Sequence, residues 1–271
     1  MSDTMPWLSI VIPAYNEAGR LPHTLTVIQR YLATQPFTSE VLVVDDGSSD
    51  ATADLAAAMP GVEVLRLDHR GKGFAVRAGA LAARGHYVLL SDADLAVPVE
   101  EWVRLEQMLQ DGYEVVIGSR EGVGATRDGE PWYRHVMGRV FNGLIALIAL
   151  RGINDTQCGF KAMPRHVAHD LFRRVRIYGD DAPVLQGAAV TAYDVELLFL
   201  ARKMGYRIAE VPVRWHYGTE TKVNPLRDSW RNLRDVVTVR LNDLRGRYRA
   251  APITLDSSEE GWRDTVPPKN L

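Results

Sequence analysis

Short apolar runs that each stop at a polar or acidic cluster recur through the first half of this chain, with helix-like stretches between them. Leu8 to Ile12 is β-branched and ends at Pro13. Glu40 to Val44 ends at Asp45-Asp46-Gly47, and Val62 to Leu67 forms a further run. His86 to Leu90 stops at Ser91-Asp92, and Tyr113 to Ile117 leads into Gly118-Ser119-Arg120. Ala51 to Met59 and Gly73 to Ala83 read as helices. Pro98 with Glu100 and Glu101 opens another, a first-turn proline with acidic neighbours. This alternation predicts an α/β fold, a Rossmann-like and mostly parallel mixed sheet flanked by helices. Ligands of such sheets sit beyond the carboxyl ends of the strands. That edge is where Asn16-Glu17, Asp45-Asp46, Asp92-Asp94 and Ser119-Arg120 fall.

The second half is less regular. Arg134 to Leu150 reads as a helix, Asp155 to Met163 as strand-like, Val195 to Met204 as an amphipathic helix and Arg207 to Trp215 as a strand. Leu226 to Arg245 is a long, basic amphipathic helix. Neither a repeat nor a strong linker divides the chain, so a single domain over 1–250 is expected. A polar, disordered tail over 251–271, marked by Pro267-Pro268, follows it. A formal net charge of −2 argues against a nucleic-acid partner. One cysteine, Cys158, excludes an intrachain disulfide and suits a reducing compartment. The opening residues lack a basic stretch followed by a long apolar one, and no window reaches the ~20 apolar residues of a membrane span. The expected location is cytoplasmic, with a peripheral place on the cytoplasmic membrane face left open.

Three constellations carry chemistry. Asp92-Ala93-Asp94 follows an apolar strand; in extended backbone, residues two apart share a side. Two carboxylates then share one divalent cation while diphosphate oxygens complete its shell, and Mg²⁺ or Mn²⁺ suits so oxygen-rich a site. The competing reading is a loop in which Asp94 caps the helix near Pro98. Asp45 to Asp50 also follows a strand. An acid there accepts from a ribose hydroxyl or a base N–H, or Ser49 and Asp50 merely cap the next helix. Gly71-Lys72-Gly73 opens a helix and offers N–H groups and an ammonium to an anion. It lacks the Walker spacing, which speaks against an ATPase; a flexible turn is the plainer alternative.

Together these pieces resemble the family 2 glycosyltransferases of the GT-A fold. The matching segments are Val11 to Glu17, Val44 to Asp50, Gly71 to Gly73 and Asp92 to Asp94, in the family's order. Asp155 to Lys161, Tyr193 to Leu198 and Arg207 to Trp215 resemble its dolichyl-phosphate glucosyltransferase branch, so the likeness runs from about Trp7 to Arg245. It implies a nucleotide-sugar donor, UDP-glucose above others, held by Pro13, Ala14, Tyr15, Glu17, Asp46, Lys72, Asp92, Ala93 and Asp94. Asp92 and Asp94 would hold Mg²⁺ or Mn²⁺, with Asp94 the more direct ligand. Arg120, Arg134, Lys161 and Lys222 match positions that meet acceptor phosphate, although Arg134 and Lys222 also read as ordinary surface charges. Diphosphate and phosphate alike need cationic partners. Asp94, Asp194 and Arg120 are the catalytic candidates. His216 is a further metal-ligand candidate, set against a structural histidine.

The implied reaction is inverting transfer to a polyprenyl or dolichyl phosphate. Such an acceptor is already anionic and needs no strong base, whereas an alcohol does, and Asp194 or Glu196 would then supply it. If Tyr193 to Leu198 is helical, only one of those two faces the donor, and Thr191 to Asp194 also fits a capping box. Cys158 reads as a buried thiol rather than a nucleophile. The apolar stripe Leu226, Trp230, Leu233, Val237, Leu241 and Leu244, beside Arg227, Arg231, Arg234 and Arg240, suits an anionic membrane surface or the protein's own core; Val140 to Leu150 allows the same two readings. The chain departs from the branch in lacking an amino-terminal anchor, in Asp50-Ala51-Thr52 where Asp-Gly-Thr is usual, and in a longer Tyr178 to Thr191, which is placed to act as a lid. Two further alternatives are a soluble transferase for a small hydroxylated acceptor and a non-catalytic nucleotide-binding protein or nucleotidyltransferase.

Overall fold

The structure, a computed structural model, describes residues 5–128, 143, 150, 152–185, 193–216 and 225–248, with the side chains of 225–232 excepted. The strands are β1 (Leu8–Ala14), β2 (Ser39–Asp45), β3 (Val62–Arg66), β4 (Tyr87–Leu90), β5 (Val115–Ser119), β6 (Thr126–Asp128), β7 (Lys161–Pro164), β8 (Ile208–Pro212) and β9 (Arg214–His216). The helices are α1 (Leu21–Leu32), α2 (Thr52–Ala57), α3 (Lys72–Ala82), α4 (Trp102–Gln110), α5 (Arg165–Arg174), α6 (Tyr193–Lys203) and α7 (Pro225–Leu244). Seven strands form one sheet in the order β3-β2-β1-β4-β7-β5-β8, and β6 pairs with β9 in a small second sheet. Only β7 runs against its neighbours in the large sheet. The expected mostly parallel mixed sheet is present.

Alternation along the strands builds two cores. Ile10, Ile12, Val41, Val43, Leu89 and Val116 face α1 and α4, packing with Leu25, Ile28, Trp102 and Leu105. Val11, Leu42, Val44, Val88, Leu90 and Ile117 face the other way, onto Val76 of α3, Leu171 of α5, Leu197 of α6 and Val236 of α7. Ser9 is the polar exception within β1. Its hydroxyl donates to Glu40 at 2.6 Å and accepts from the Gly85 N–H at 2.7 Å, which satisfies a buried group inside the sheet.

Several boundaries differ from the sequence reading. β1 continues through Pro13 to Ala14. The Ala14 carbonyl bonds toward β2 and the Val11 carbonyl toward Ser91 beyond β4. Alternation therefore turns Pro13 to the β4 side, where pairing has ended at Leu90 and no amide is missed. The expected strand Asp155 to Met163 is a strand only from Lys161, because the Asn154 and Asp155 amides bond the Glu210 carboxylate instead of a ladder. α5 went unread. Its signal is Pro164 followed by Val167, Ala168, Leu171 and Phe172 on one face. Arg207 to Trp215 is two strands: the Val213 amide makes the last β5–β8 bond to the Ser119 carbonyl, and Arg214 to His216 then pairs with β6.

α7 forms where the basic helix was expected, but its core face is not the expected stripe. Val236 and Val239 are buried, while Val237, Leu241 and Leu244 remain 42%, 42% and 80% exposed. The side chains of Leu226, Arg227, Trp230 and Arg231, most of Val140 to Leu150 and the tail 251–271 lie outside the described residues. No helix among the described residues is long and apolar enough to cross a membrane.

Trp102 is fully buried against the sheet. Trp102→Ala is expected to lower the unfolding free energy by about 3–5 kcal/mol in urea titrations. Trp102→Phe should cost far less, since it keeps an aromatic ring and removes an indole N–H that has no partner among the described residues.

Candidate active site

β1, β2, β4 and β5 end at one edge of the sheet, and the reversed β7 begins there, with Lys161 in register with both Leu90 and Ile117. The turns after β1 and β2 are laced together. Asn16, in the left-handed region with φ 54°, donates its N–H to the Ser48 hydroxyl at 2.9 Å and accepts from the Ser49 amide at 2.8 Å. The Glu17 amide donates to the Thr52 hydroxyl at 2.7 Å, and the Glu17 carboxylate is gripped by Arg20. Asp50 accepts from the Thr52 amide at 2.9 Å, but α2 starts from Ala51 with no side-chain cap, so the expected cap from Ser49 or Asp50 is replaced by this lacing.

Asp46 accepts from the Arg70 amide at 2.8 Å, the Gly71 amide at 2.9 Å and His69 Nδ1 at 2.8 Å. Burial raises its pKa and outweighs those donors. The His69 ring lies flat on Tyr15, centroids 3.9 Å apart and planes 9° from parallel. Asp46 was expected to meet the nucleotide itself. Both its oxygens are engaged by residues 69–71, so in this structure it positions the turn that starts α3. His69, which the sequence reading passed over, joins that turn to Tyr15.

Lys72, at the start of α3, places Nζ 2.6 Å from Asp92 Oδ1. The two side chains keep 37% and 34% of their surface open at the carboxyl edge of the sheet. Burial works to raise the Asp92 pKa, but the charge and hydrogen bond of Lys72, with the charges of Lys161 and Arg120, together make the net shift downward. Asp94 moves the other way, raised by burial and then by the neighbouring Asp92 charge. The backbone here is not extended as first read. The Leu95 amide bonds the Asp92 carbonyl at 3.1 Å, closing a turn, and the Ala93 carbonyl is tied to the Thr24 hydroxyl of α1 at 2.8 Å. Asp94 Oδ1 accepts from the Ala96 amide at 3.2 Å, and the helical turn that follows starts from Pro98 with no side-chain cap, so Asp94 does not cap it. The turn still keeps two carboxylates within electrostatic reach. Gly159 is a condition of this arrangement: a Cβ there would stand 2.6 Å from Asp92 Cγ.

Arg120 binds Asp155 bidentately, Nε to Oδ2 at 2.7 Å and Nη2 to Oδ1 at 2.8 Å, and lies 5.4 Å from the Trp215 ring centroid. Asp155 has no exposed surface. Although burial raises its pKa, Arg120 more than reverses this and holds the carboxyl at about 2. Lys161 is also fully buried, its ammonium bound to Asp194 and the Cys158 carbonyl, so the phosphate contact expected of it is not a direct one here. Asp194 and Glu196 diverge as a helix demands: Glu196 turns to the Arg176 and Ile177 amides and the Tyr248 hydroxyl. The Cys158 thiol is buried and pushed up to about 11 by that burial, which fits an inert thiol. His216 pairs with Asp128 at 3.1 Å while its amide bonds the Ala96 carbonyl at 2.8 Å, beside the Asp94 turn. Asp180 anchors the segment after Tyr178 to Arg77, and the Leu185 amide bonds the His69 carbonyl. Arg134, Thr191 and Lys222 lie outside the described residues, as does the rest of that segment from 186.

A doubly covered, mostly parallel sheet with a charged cleft at its carboxyl edge is a ligand-binding α/β protein. Comparison narrows this: the Glycosyl transferase family 2 profile matches residues 9–172, and the chain belongs to that family. A dolichyl-phosphate beta-glucosyltransferase of Drosophila melanogaster is 37% identical, over 91% of this chain and 78% of that relative. The Homo sapiens protein of the same name is 33% identical, over 89% and 77%. Among solved structures, mannosyl-3-phosphoglycerate synthase from Rubrobacter xylanophilus superposes with a TM-score of 0.63 at 24% identity, covering 92% of this chain and 77% of that one. Glucosyl-3-phosphoglycerate synthase from Mycobacterium tuberculosis, in complex with Mn²⁺, UDP and its product, gives 0.59 at 22%, over 88% and 79%. These last two likenesses establish the fold.

The depressed pKa of Asp155 has a thermodynamic signature. Ionised Asp155 stabilises the fold by about 2 kcal/mol above its unfolded pKa of 3.8, and this is lost as pH falls through about 2. Asp155→Asn should therefore be less stable than wild type at neutral pH. The gap, read by urea unfolding, should narrow as pH drops from 3.8 toward 2.

Proposed function

We propose that this protein transfers glucose from UDP-glucose, with inversion, to the phosphate of a polyprenyl or dolichyl lipid, and that it needs Mg²⁺ or Mn²⁺. The observation that carries the proposal is the pair Asp92 and Asp94 beside Lys72 on the cleft floor, in a family 2 chain whose relatives are named for that transfer. The donor set is all oxygen, and its two carboxylates repel each other until a cation joins them. Among the described residues no third His, Cys, Asp or Glu converges to complete a metal site. Diphosphate oxygens would complete it; the M. tuberculosis neighbour is a complex with Mn²⁺ and UDP.

A bound divalent ion supplies charge neutralisation at the leaving diphosphate. The chain's own residues do the rest. Tyr15, with His69 flat against it, offers an aromatic wall to the nucleoside end, and Pro13, Ala14 and Glu17 line the same turn. Lys72 meets the diphosphate. The acceptor phosphate oxygen forms its bond to the anomeric carbon as the bond from that carbon to the donor phosphate breaks, and the electron pair leaves with UDP. Arg120, fixed by Asp155 and Trp215, lends positive charge on the acceptor side, as Arg134 and Lys222 would. Asp194 Oδ1 is engaged by buried Lys161, which favours a ready-made phosphate nucleophile over an alcohol deprotonated by Asp194.

Reaching a lipid acceptor calls for contact with its membrane. The exposed Val237, Leu241 and Leu244 of α7, next to exposed Arg234, Arg240 and Arg245, support peripheral attachment to an anionic cytoplasmic surface.

Asp94→Ala should lower glucose transfer from UDP-glucose by at least about 10²-fold, measured as radiolabel extracted with polyprenyl phosphate into organic solvent. Unchanged transfer would refute the metal site. Leu241→Glu combined with Leu244→Glu should reduce sedimentation with phosphatidylserine vesicles several-fold while leaving UDP binding intact. Equal sedimentation of variant and wild type would remove α7 as the docking face.

A further inference from the structure

Tyr193 has no part in the reaction described above, yet it stands between the donor cleft and the buried ion pair beneath it. The residue is 2% exposed and opens α6. Lys72 Nζ lies 5.9 Å from its ring centroid and Lys161 Nζ 5.8 Å, both within cation–π range. Each of those ammoniums has a carboxylate partner, Asp92 for Lys72 and Asp194 for Lys161. The backbone is fitted to the ring as well: a Cβ on Gly73, the residue after Lys72, would come within 2.8 Å of Tyr193 Cβ and 2.7 Å of Tyr178 Cγ. The start of α3 therefore rests on these two tyrosines, with Lys72 directed over one of them.

A divalent cation bound directly by Asp92 would displace Lys72 from Oδ1, which the ammonium approaches at 2.6 Å. When Lys72 yields that oxygen, its ammonium loses its closest partner and must be held by something else, or it drifts to solvent on a flexible four-carbon stem. The Tyr193 ring face and the charge of Asp194 remain within reach. We propose that Tyr193 is a positioning residue for the donor: its ring keeps the Lys72 ammonium on the cleft floor, facing the diphosphate, after a divalent ion takes Asp92. The inference rests on the metal–diphosphate reading above. It adds that the aromatic face, rather than the phenol hydroxyl, is what the donor site uses.

Isothermal titration of UDP into the full chain, with and without Mn²⁺, tests it. Tyr193→Leu should weaken Mn²⁺–UDP binding about tenfold, whereas Tyr193→Phe, which keeps the ring, should stay within about threefold of wild type. The double variant Lys72→Met with Tyr193→Leu should bind no more weakly than Lys72→Met alone, because the ring acts only through that ammonium. A merely structural role predicts losses that multiply in the double variant and a similar weakening of metal-free UDP. Either result overturns the proposal, as does wild-type affinity in Tyr193→Leu. If Tyr193→Leu does not fold, Tyr193→Met, which also lacks a π face, takes its place under the same expectations. Wild-type UDP binding that ignores Mn²⁺ would instead bring down the donor-site reading along with this one.

Discussion

An ammonium with no exposed surface must find a carboxylate, because a lone buried charge costs several kcal/mol. Lys161 enters the sheet at the edge where the parallel strands end, since β7 alone runs backwards. Its partner, Asp194, comes from α6, so that pairing ties α6 to the edge of the sheet. With α6 in place, Tyr193 sits against the first turn of α3, and Lys72 is delivered to Asp92. Carboxylates and ammoniums thus alternate from the interior to the cleft floor. Each ion is compensated by a neighbour, and Lys72 and Asp92 at the outer end keep about a third of their side chains open.

The same logic explains why two cationic residues with similar sequence prospects differ in use. Lys72 and Lys161 both lie at the carboxyl edge beside acids. Lys72 follows a turn and keeps a third of its side chain open, while Lys161 lies within a strand flanked on both sides and has none. Arg120 is intermediate, braced by a carboxylate behind it and an indole beside it. A guanidinium can accept that bracing and still present positive charge, because its delocalised charge and fork of donors serve more than one partner.

The parallel part of the fold was legible because most of its strands announce themselves twice, by an apolar run and by the polar or acidic cluster that stops it. Asp92-Ala93-Asp94 and Gly71-Lys72-Gly73 could be placed at the ligand edge on that ground alone. The reversed β7 could not. Its four residues carry no direction, and pairing partners some seventy positions away in sequence are not encoded locally. Gly159 shows the same limit. Only the Asp92 carboxylate lying against it explains the missing side chain. The link of Asp46 to His69 and residues 70–71 was hidden for another reason: a carboxylate at a strand end looks alike whether it serves a ligand or a neighbouring turn. On α7 the stripe was legible as apolar, but periodicity alone does not say which of two adjacent apolar faces meets the core.

The lacing between the turns after β1 and β2 bears on how a ligand is received. Asn16 and Glu17 are tied to Ser48, Ser49 and Thr52 with no ligand required to draw them together. A ligand bound at these turns would meet a surface already assembled, so little ordering entropy would be charged against its affinity.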